Sequence, residues 1–167
     1  MRFYCTDDTV DLEQYPYHVR DVHISDPFIL ADPKSRCYYT YVQFADTERF
    51  PDVETDKEHG VFYVLESKDL IHWSKPQICF RQNNFWADKD YWAPEVHIWK
   101  GRYYLFSSFR ADGHYRKCQC LVSDSPKGPF EILDTVGLKT AYDIVLMYVK
   151  IPKFLAPYNF KGMESLL

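Results

Sequence analysis

The sequence predicts an all-β fold, a β-propeller of four-stranded antiparallel blades, and three observations point to it. Short aromatic and β-branched runs, Phe28-Ile29-Leu30 and residues 38–44 among them, fit a pleated surface better than a helix. Turn signals rich in Pro, Asp, Gly and Lys separate the runs. The whole pattern then recurs: an X-Pro entry, a short strand, a turn, a Tyr-Tyr pair opening the next strand, and a further strand pair. Four-stranded units repeating at roughly 55–65 residues are the mark of propeller blades.

Residues 1–22 are a polar lead-in with Tyr15-Pro16-Tyr17-His18, expected to contribute a closing strand. The first blade is expected over 23–81. Its first strand follows Ser25-Asp26-Pro27, and the turn 31–36 leads to Tyr38-Tyr39 and the second strand. Pro27 has a fixed φ and is expected to push Asp26 into an extended conformation, holding a carboxylate at the strand mouth. A charged loop, 47–60, precedes the third strand, residues 61–67. It lacks the Asp-x-Asp-x-Asp-Gly spacing of a calcium loop and reads as solvated. Ser67-Lys68-Asp69-Leu70-Ile71-His72-Trp73 reads as a tight turn with Trp73 packed back on the blade, and residues 77–80 complete the unit.

The linker 82–90 carries Phe85 and Trp86, expected to be exposed unless they cover something. The second blade is expected over 91–133: Tyr91-Trp92-Ala93-Pro94-Glu95-Val96, a Lys100-Gly101 turn, Tyr103-Tyr104, then 118–124 and 128–133. Ser123-Asp124-Ser125-Pro126 repeats the turn that follows the third strand of the first blade. Beyond residue 138 the pattern stops. Residues 139–167 have no turn-separated strand pairs and form an atypical tail.

Composition narrows the function classes. With 167 residues, 46% hydrophobic and 26% charged, the chain has the make-up of a globular domain. A net charge of -4 speaks against a nucleic acid or an anionic membrane as partner. The longest apolar run, residues 144–149, falls far short of a bilayer span. No apolar leader follows Met1, so cytoplasmic is the default location, with secretion of a longer parent left open. Cys5, Cys37, Cys79, Cys118 and Cys120 are odd in number, form no CxxC motif and read as reduced packing residues. Aromatic residues make up 18%, and rings lining a cleft suit a ligand with apolar faces and many hydroxyls, such as a sugar.

Motifs for other chemistries are missing. There is no G-x-S-x-G elbow, no metal spacing among the six His and no glycine-rich phosphate loop, so neither a metal nor a cofactor is expected. What remains is carboxylates at strand starts, Asp26 and Glu95, near aromatic rings. Two carboxyl groups flanking a bond is the arrangement of glycoside hydrolysis.

Taken in order, Ser25-Asp26-Pro27-Phe28-Ile29-Leu30 with Tyr38-Tyr39, Ser67-x-Asp69-Leu70-x-x-Trp73, and Trp92-Ala93-Pro94-Glu95-Val96 with Gly101-x-Tyr103-Tyr104-Leu105 resemble glycoside hydrolase family 43. The resemblance covers about residues 20–138. It implies a five-bladed propeller of which about two blades are present, acting on arabinose- or xylose-containing polysaccharides by inversion. It also implies that Asp26 is the general base activating water, while Trp92, Glu95 and Trp86 are candidates for contacting substrate. The family's second aspartate and its acid glutamate belong beyond residue 138, where the sequence offers no match for either. Codons for Ile144-Val145-Leu146-Met147 can spell Cys-Leu-Asp in a shifted frame, so the tail is expected to be out-of-frame translation or a truncation. Exposed blade edges would then favour oligomers. The alternative reading is a non-catalytic or degenerate carbohydrate-binding propeller fragment.

Overall fold

A computed structural model of the chain describes residues 10–22, 24, 26–43, 50, 61–81 and 85–133. All of these belong to one compact unit, Met1–Leu133. The tail after residue 138 lies outside the described residues, as does nearly all of the 47–60 loop. Among the described residues there are ten strands and no helix, hence no helix long and apolar enough to cross a membrane.

The strands form two antiparallel sheets. In the first, β2 (Phe28–Asp32), β3 (Cys37–Val42) and β4 (Val61–Ser67) lie side by side in chain order. Two strands share the far edge of β4: β6 (Gln77–Arg81) along its first half and β5 (His72–Trp73) at its end. The lead-in adds β1 (Tyr17–His18) against β5, with Tyr17 opposite Trp73. The second sheet is a plain meander of β7 (Lys89–Trp99), β8 (Arg102–Arg110), β9 (Lys117–Ser123) and β10 (Glu131–Ile132). It uses fewer residues because β8 and β9 are joined by 111–116, where β3 and β4 are separated by 43–60.

The expected turn 31–36 is shorter than the sequence suggests. Ala31 and Asp32 are the last residues of β2, opposite Tyr38 and Cys37. Asp32 then closes the turn with its own carboxylate, which accepts hydrogen bonds from the Lys34 and Ser35 backbone N–H groups and from Ser35 Oγ at 2.7–3.2 Å. β10 is shorter than the expected 128–133. Gly128 at φ 77° and Pro129, which has no N–H, cannot extend a ladder.

Every residue of β3 and β4 is buried, because apolar groups cover both faces of the first sheet. Tyr39, Tyr41, Phe62 and Val64 point toward the second sheet and meet Tyr91, Val96, Tyr103, Leu105, Phe109 and Leu121. Tyr38, Val42, Val61, Tyr63 and Leu65 point the other way, onto Trp73 and Phe50. The alternation of strand side chains sorts one run into two cores.

The turn after β4 is capped locally. Ser67 Oγ accepts from the Asp69 and Leu70 N–H groups, and Asp69 Oδ1 accepts from those of Ile71 and His72 at 2.7–3.2 Å. In the second sheet, Ser123 Oγ and Ser125 Oγ play the same part, accepting from Ser125 and Lys127 N–H. Both copies solve the turn with side-chain oxygens in place of missing ladder partners.

Hydrogen bonds among the described residues tie the sheets together, in addition to the Lys127–Glu66 ion pair. Tyr103 donates to Asp32 Oδ2 at 3.1 Å, Tyr41 donates to the Pro126 carbonyl at 2.8 Å, and Phe130 N–H donates to the Cys79 carbonyl at 2.7 Å. Burial pushes the Tyr103 phenol up to about 12, so it stays a donor at neutral pH. The first bond also fixes relative direction. Asp32 sits at the β2–β3 turn and Tyr103 beside the β7–β8 turn, so those two turns share an end. The start of β2 lies beside the later half of β7, where the Phe28 ring is 5.4 Å from that of His97.

Phe85 is not exposed: it packs among Phe80, Tyr91 and Phe109 in the core between the sheets. Cys37, Cys79 and Cys120 are buried and free as expected, whereas Cys118 is exposed and does not pack.

Candidate active site

Asp26 and Glu95, two of the sequence-predicted residues, flank that Phe28–His97 contact. Asp26 is there, exposed, two residues ahead of β2. Its backbone is not extended: φ is 49°, in the left-handed region. Pro27 disfavours the right-handed helical region for the residue before it. That constraint leaves open the left-handed region, which Asp enters more readily than most side chains. The second copy does the same. Ala93, before Pro94, has φ 51° and occupies the position that Asp26 holds in the first. An X-Pro step with X left-handed is thus a repeated device, ahead of β2 in one sheet and within β7 in the other.

Asp90 also has a positive φ, 54°, and the register of β7 slips between Lys89 and Trp92 and again between Trp92 and Glu95. These bulges re-aim the side chains between them. Trp92 is 48% exposed. Its carbonyl accepts a hydrogen bond from Ser107 Oγ, and the Arg116 guanidinium lies over its ring, 3.7 Å from the centroid. Arg116 Nη1 donates to the Asp90 carbonyl at 2.9 Å and to Ser108 Oγ at 3.2 Å, and Nη2 donates to Asp90 Oδ2 at 3.2 Å.

Glu95 is also exposed, and its Oε1 is 2.7 Å from His97 Nε2. The His97 ring is 5.4 Å from that of Phe28, the second residue after Asp26. Glu95, His97 and Phe28 therefore meet in sequence where β2 passes β7, with Asp26 two residues ahead of Phe28.

Trp86 is set apart from Trp92. It rests on Phe85 and so belongs to the side of the second sheet that faces the first. Lys117 Nζ is 5.5 Å from its centroid, and the His114 ring is 6.4 Å away. The linker is held by Tyr91, whose hydroxyl donates to the Ala87 carbonyl at 2.8 Å and whose pKa burial raises. Trp92 pairs in register with Ser108, which points away from the first sheet because Phe109 beside it points in. The two indoles thus share an end of the sheet but not a face. Arg116, Asp90 and His97 carry no sequence motif; only the register of β7, β8 and β9 reveals them. Among the described residues no cluster of three His, Cys, Asp or Glu could hold a metal.

This arrangement sits within a recognisable sequence family. The model of glycosyl hydrolases family 43 matches residues 18–144, which spans both sheets. The chain belongs to glycosyl hydrolases family 43. Solved structures agree with it. An endo-arabinase from Bacteroides thetaiotaomicron is 36% identical with TM-score 0.60, and the match covers 72% of this chain and 38% of that one. A thermostable family-43 glycoside hydrolase is 28% identical with TM-score 0.53, over 66% and 32% of the two chains. The RS223 β-xylosidase, 16% identical over 70% and 38%, shares the fold at TM-score 0.53. No curated protein matches the sequence. The family 43 chain therefore spans well under half the length of these enzymes.

Proposed function

We propose that this chain is part of a glycoside hydrolase acting on arabinose-containing polysaccharides by inversion, with Asp26 as the general base. The two sheets are its first two blades, within residues 1–138. The observation that carries the reading is an exposed carboxylate held by a left-handed backbone at the mouth of the innermost strand. Both copies of the repeat hold this backbone, and only Asp26 puts a carboxylate on it, where Ala93 has a methyl group. The 36% identity to an endo-arabinase supports arabinan over xylan as the polymer.

In the inverting mechanism the base takes a proton from water while that water attacks the anomeric carbon. An acid about 6.5–9.5 Å away protonates the leaving oxygen. Asp26 suits the role of base, being open to solvent so that water reaches it. Trp92 and Trp86 offer rings to sugar faces, and Glu95, held by His97, offers acceptors for hydroxyls. The acid is assigned to no residue here.

The test is release of reducing ends from linear arabinan, scored alongside binding of arabino-oligosaccharides. Hydrolysis that falls by about 10²–10⁴-fold in Asp26→Asn supports the base assignment; hydrolysis unchanged by that substitution removes it. A chain that binds arabino-oligosaccharides and releases nothing supports the second reading, a carbohydrate-binding member of the family. The two exposed indoles favour that alternative. β10, paired only with β9 among the described residues, is the proposed edge for self-association; a monomer by light scattering rules that out.

A further inference from the structure

We infer that Arg116 is the positioning residue of the sugar platform, setting the indole of Trp92 through the strained segment 90–93. The inference rests on the carbohydrate reading given above.

Trp92 lies between two left-handed residues, Asp90 at φ 54° and Ala93 at φ 51°. Neither is glycine; the Ala93 step recurs at Asp26 and belongs to the repeated backbone, whereas the Asp90 step has no counterpart there and is held from outside the segment. Arg116 is placed to do so. Its fork takes the carbonyl and the carboxylate of Asp90, its third contact is Ser108 on the neighbouring strand, and its plane covers the Trp92 ring. Backbone, carboxylate and indole are fixed by one rigid guanidinium. Ser107 holds the Trp92 carbonyl from β8.

This has a consequence for recognition. With the guanidinium 3.7 Å from the ring centroid, one face of the indole is filled and the other is the one left to meet a sugar ring. Arg116 also has five N–H donors, of which three are taken among the described residues, and the others are proposed to meet sugar hydroxyls at the edge of the platform. A lysine cannot substitute: a point charge on a flexible stem neither stacks flat nor spans two acceptors.

The experiment measures arabino-oligosaccharide binding to the whole chain by tryptophan fluorescence and calorimetry. Variants are Arg116→Ala, Arg116→Met (which keeps the packing stem where alanine unfolds the chain) and Arg116→Lys, each also made in a Trp92→Phe background. Expected are a loss of at least about tenfold in affinity for the Ala and Met variants, no restoration by Lys, and an altered near-ultraviolet tryptophan signal. In the Trp92→Phe background, removing Arg116 should cost little further affinity, because it acts through the indole. Wild-type affinity in Arg116→Met, full rescue by Lys, or losses that simply add to that of Trp92→Phe would each overturn the inference while leaving the carbohydrate reading standing. A wild-type chain that binds no arabino-oligosaccharide overturns the reading and the inference together.

Discussion

Gly128 joins the two sheets at a point where no side chain fits. Its φ is 77°, and a Cβ added there would lie 2.4 Å from the Cys79 carbonyl oxygen and 3.0 Å from Cys79 Cα. The obstacle is backbone in the buried strand β6, not the movable tip of a side chain. That same carbonyl accepts the Phe130 N–H at 2.7 Å. Gly128→Ala should therefore combine three costs. Left-handed strain in a non-glycine residue is about 1 kcal/mol, the weakened Phe130 hydrogen bond about 1 kcal/mol, and displacement of packed backbone about 1–3 kcal/mol. A total of about 3–5 kcal/mol is a large part of the ~5–15 kcal/mol that stabilises a typical domain. Gly113 supplies the control. Its φ is 75°, and nothing lies within 4 Å of an added Cβ, so Gly113→Ala should cost only the strain, about 1 kcal/mol. Thermal and urea unfolding followed by circular dichroism measure both. Equal losses for the two glycines would mean that φ alone matters at Gly128 and that the close approach to Cys79 contributes nothing.

Two other predictions concern buried charge. Glu66 has few neighbours to share its carboxylate: Tyr15 donates at 2.6 Å and Lys127 lies 2.7 Å away. Burial would raise its pKa, but the hydrogen bonds from Lys127 and Tyr15 outweigh burial and hold it below the usual 4.5. The stability it gives is present above 4.5 and lost as pH falls through its lower folded value. Lys127→Met should thus cost about 1–2 kcal/mol at neutral pH, discounted because Lys127 is 40% exposed, and flatten the acid limb of a stability–pH profile. An unchanged acid limb would refute the assignment. Asp69 is likewise held below its usual 3.8: burial opposes this, but the His72 N–H, the His72 ring and the Ile71 N–H outweigh it. Asp69→Ala should cost about 2 kcal/mol at pH 7 and progressively less as pH falls below 3.8 through the lower folded value, because the protonated carboxyl is a poor acceptor. Equal cost above and below 3.8, read from urea midpoints, would sink it.

How far the sequence discloses this molecule depends on how local the deciding physics is. The strands and their turns are legible because their chemistry is short-range: Ser67 and Asp69 cap a turn within five residues, and Ser123 and Ser125 do it again. Phe85 reads as exposed in the sequence because burial of a linker residue depends on Phe80, Tyr91 and Phe109 arriving from three strands. The same holds for the site. Trp86 and Trp92 are visible as aromatic residues near strand starts, but the bulges of β7 break simple alternation, so sequence spacing does not say which face each takes. Arg116 is not legible at all. Its role comes from β8 carrying Ser108, and the 111–116 connection carrying Arg116, to the first half of β7, a relation that no motif encodes.

The repeat itself separates what is scaffold from what is chemistry. Asp26 and Ala93 stand at matching points, each before a proline and each left-handed, at φ 49° and 51°. If only Asp26 adopted this backbone, the strain could be credited to its carboxylate bonding locally, as Asp often does in turns. Ala93 removes that explanation, because a methyl group has nothing to bond with and still accepts about 1–2 kcal/mol of strain. The left-handed step therefore belongs to the backbone that the two copies share, ahead of β2 and within β7, and it exists whether or not a functional group rides on it. What differs between the copies is the side chain presented: a methyl group beside Trp92, and at Asp26 a carboxylate open to water. A group whose backbone the fold would position in any case needs no local bond to hold it, and among the described residues none is seen to its oxygens. That is the condition a general base must meet, and Asp26→Ala should consequently abolish base function while leaving the unfolding free energy within about 1 kcal/mol of wild type. A large loss of stability in that variant would show that the carboxylate holds the turn after all, and would return Asp26 to the scaffold.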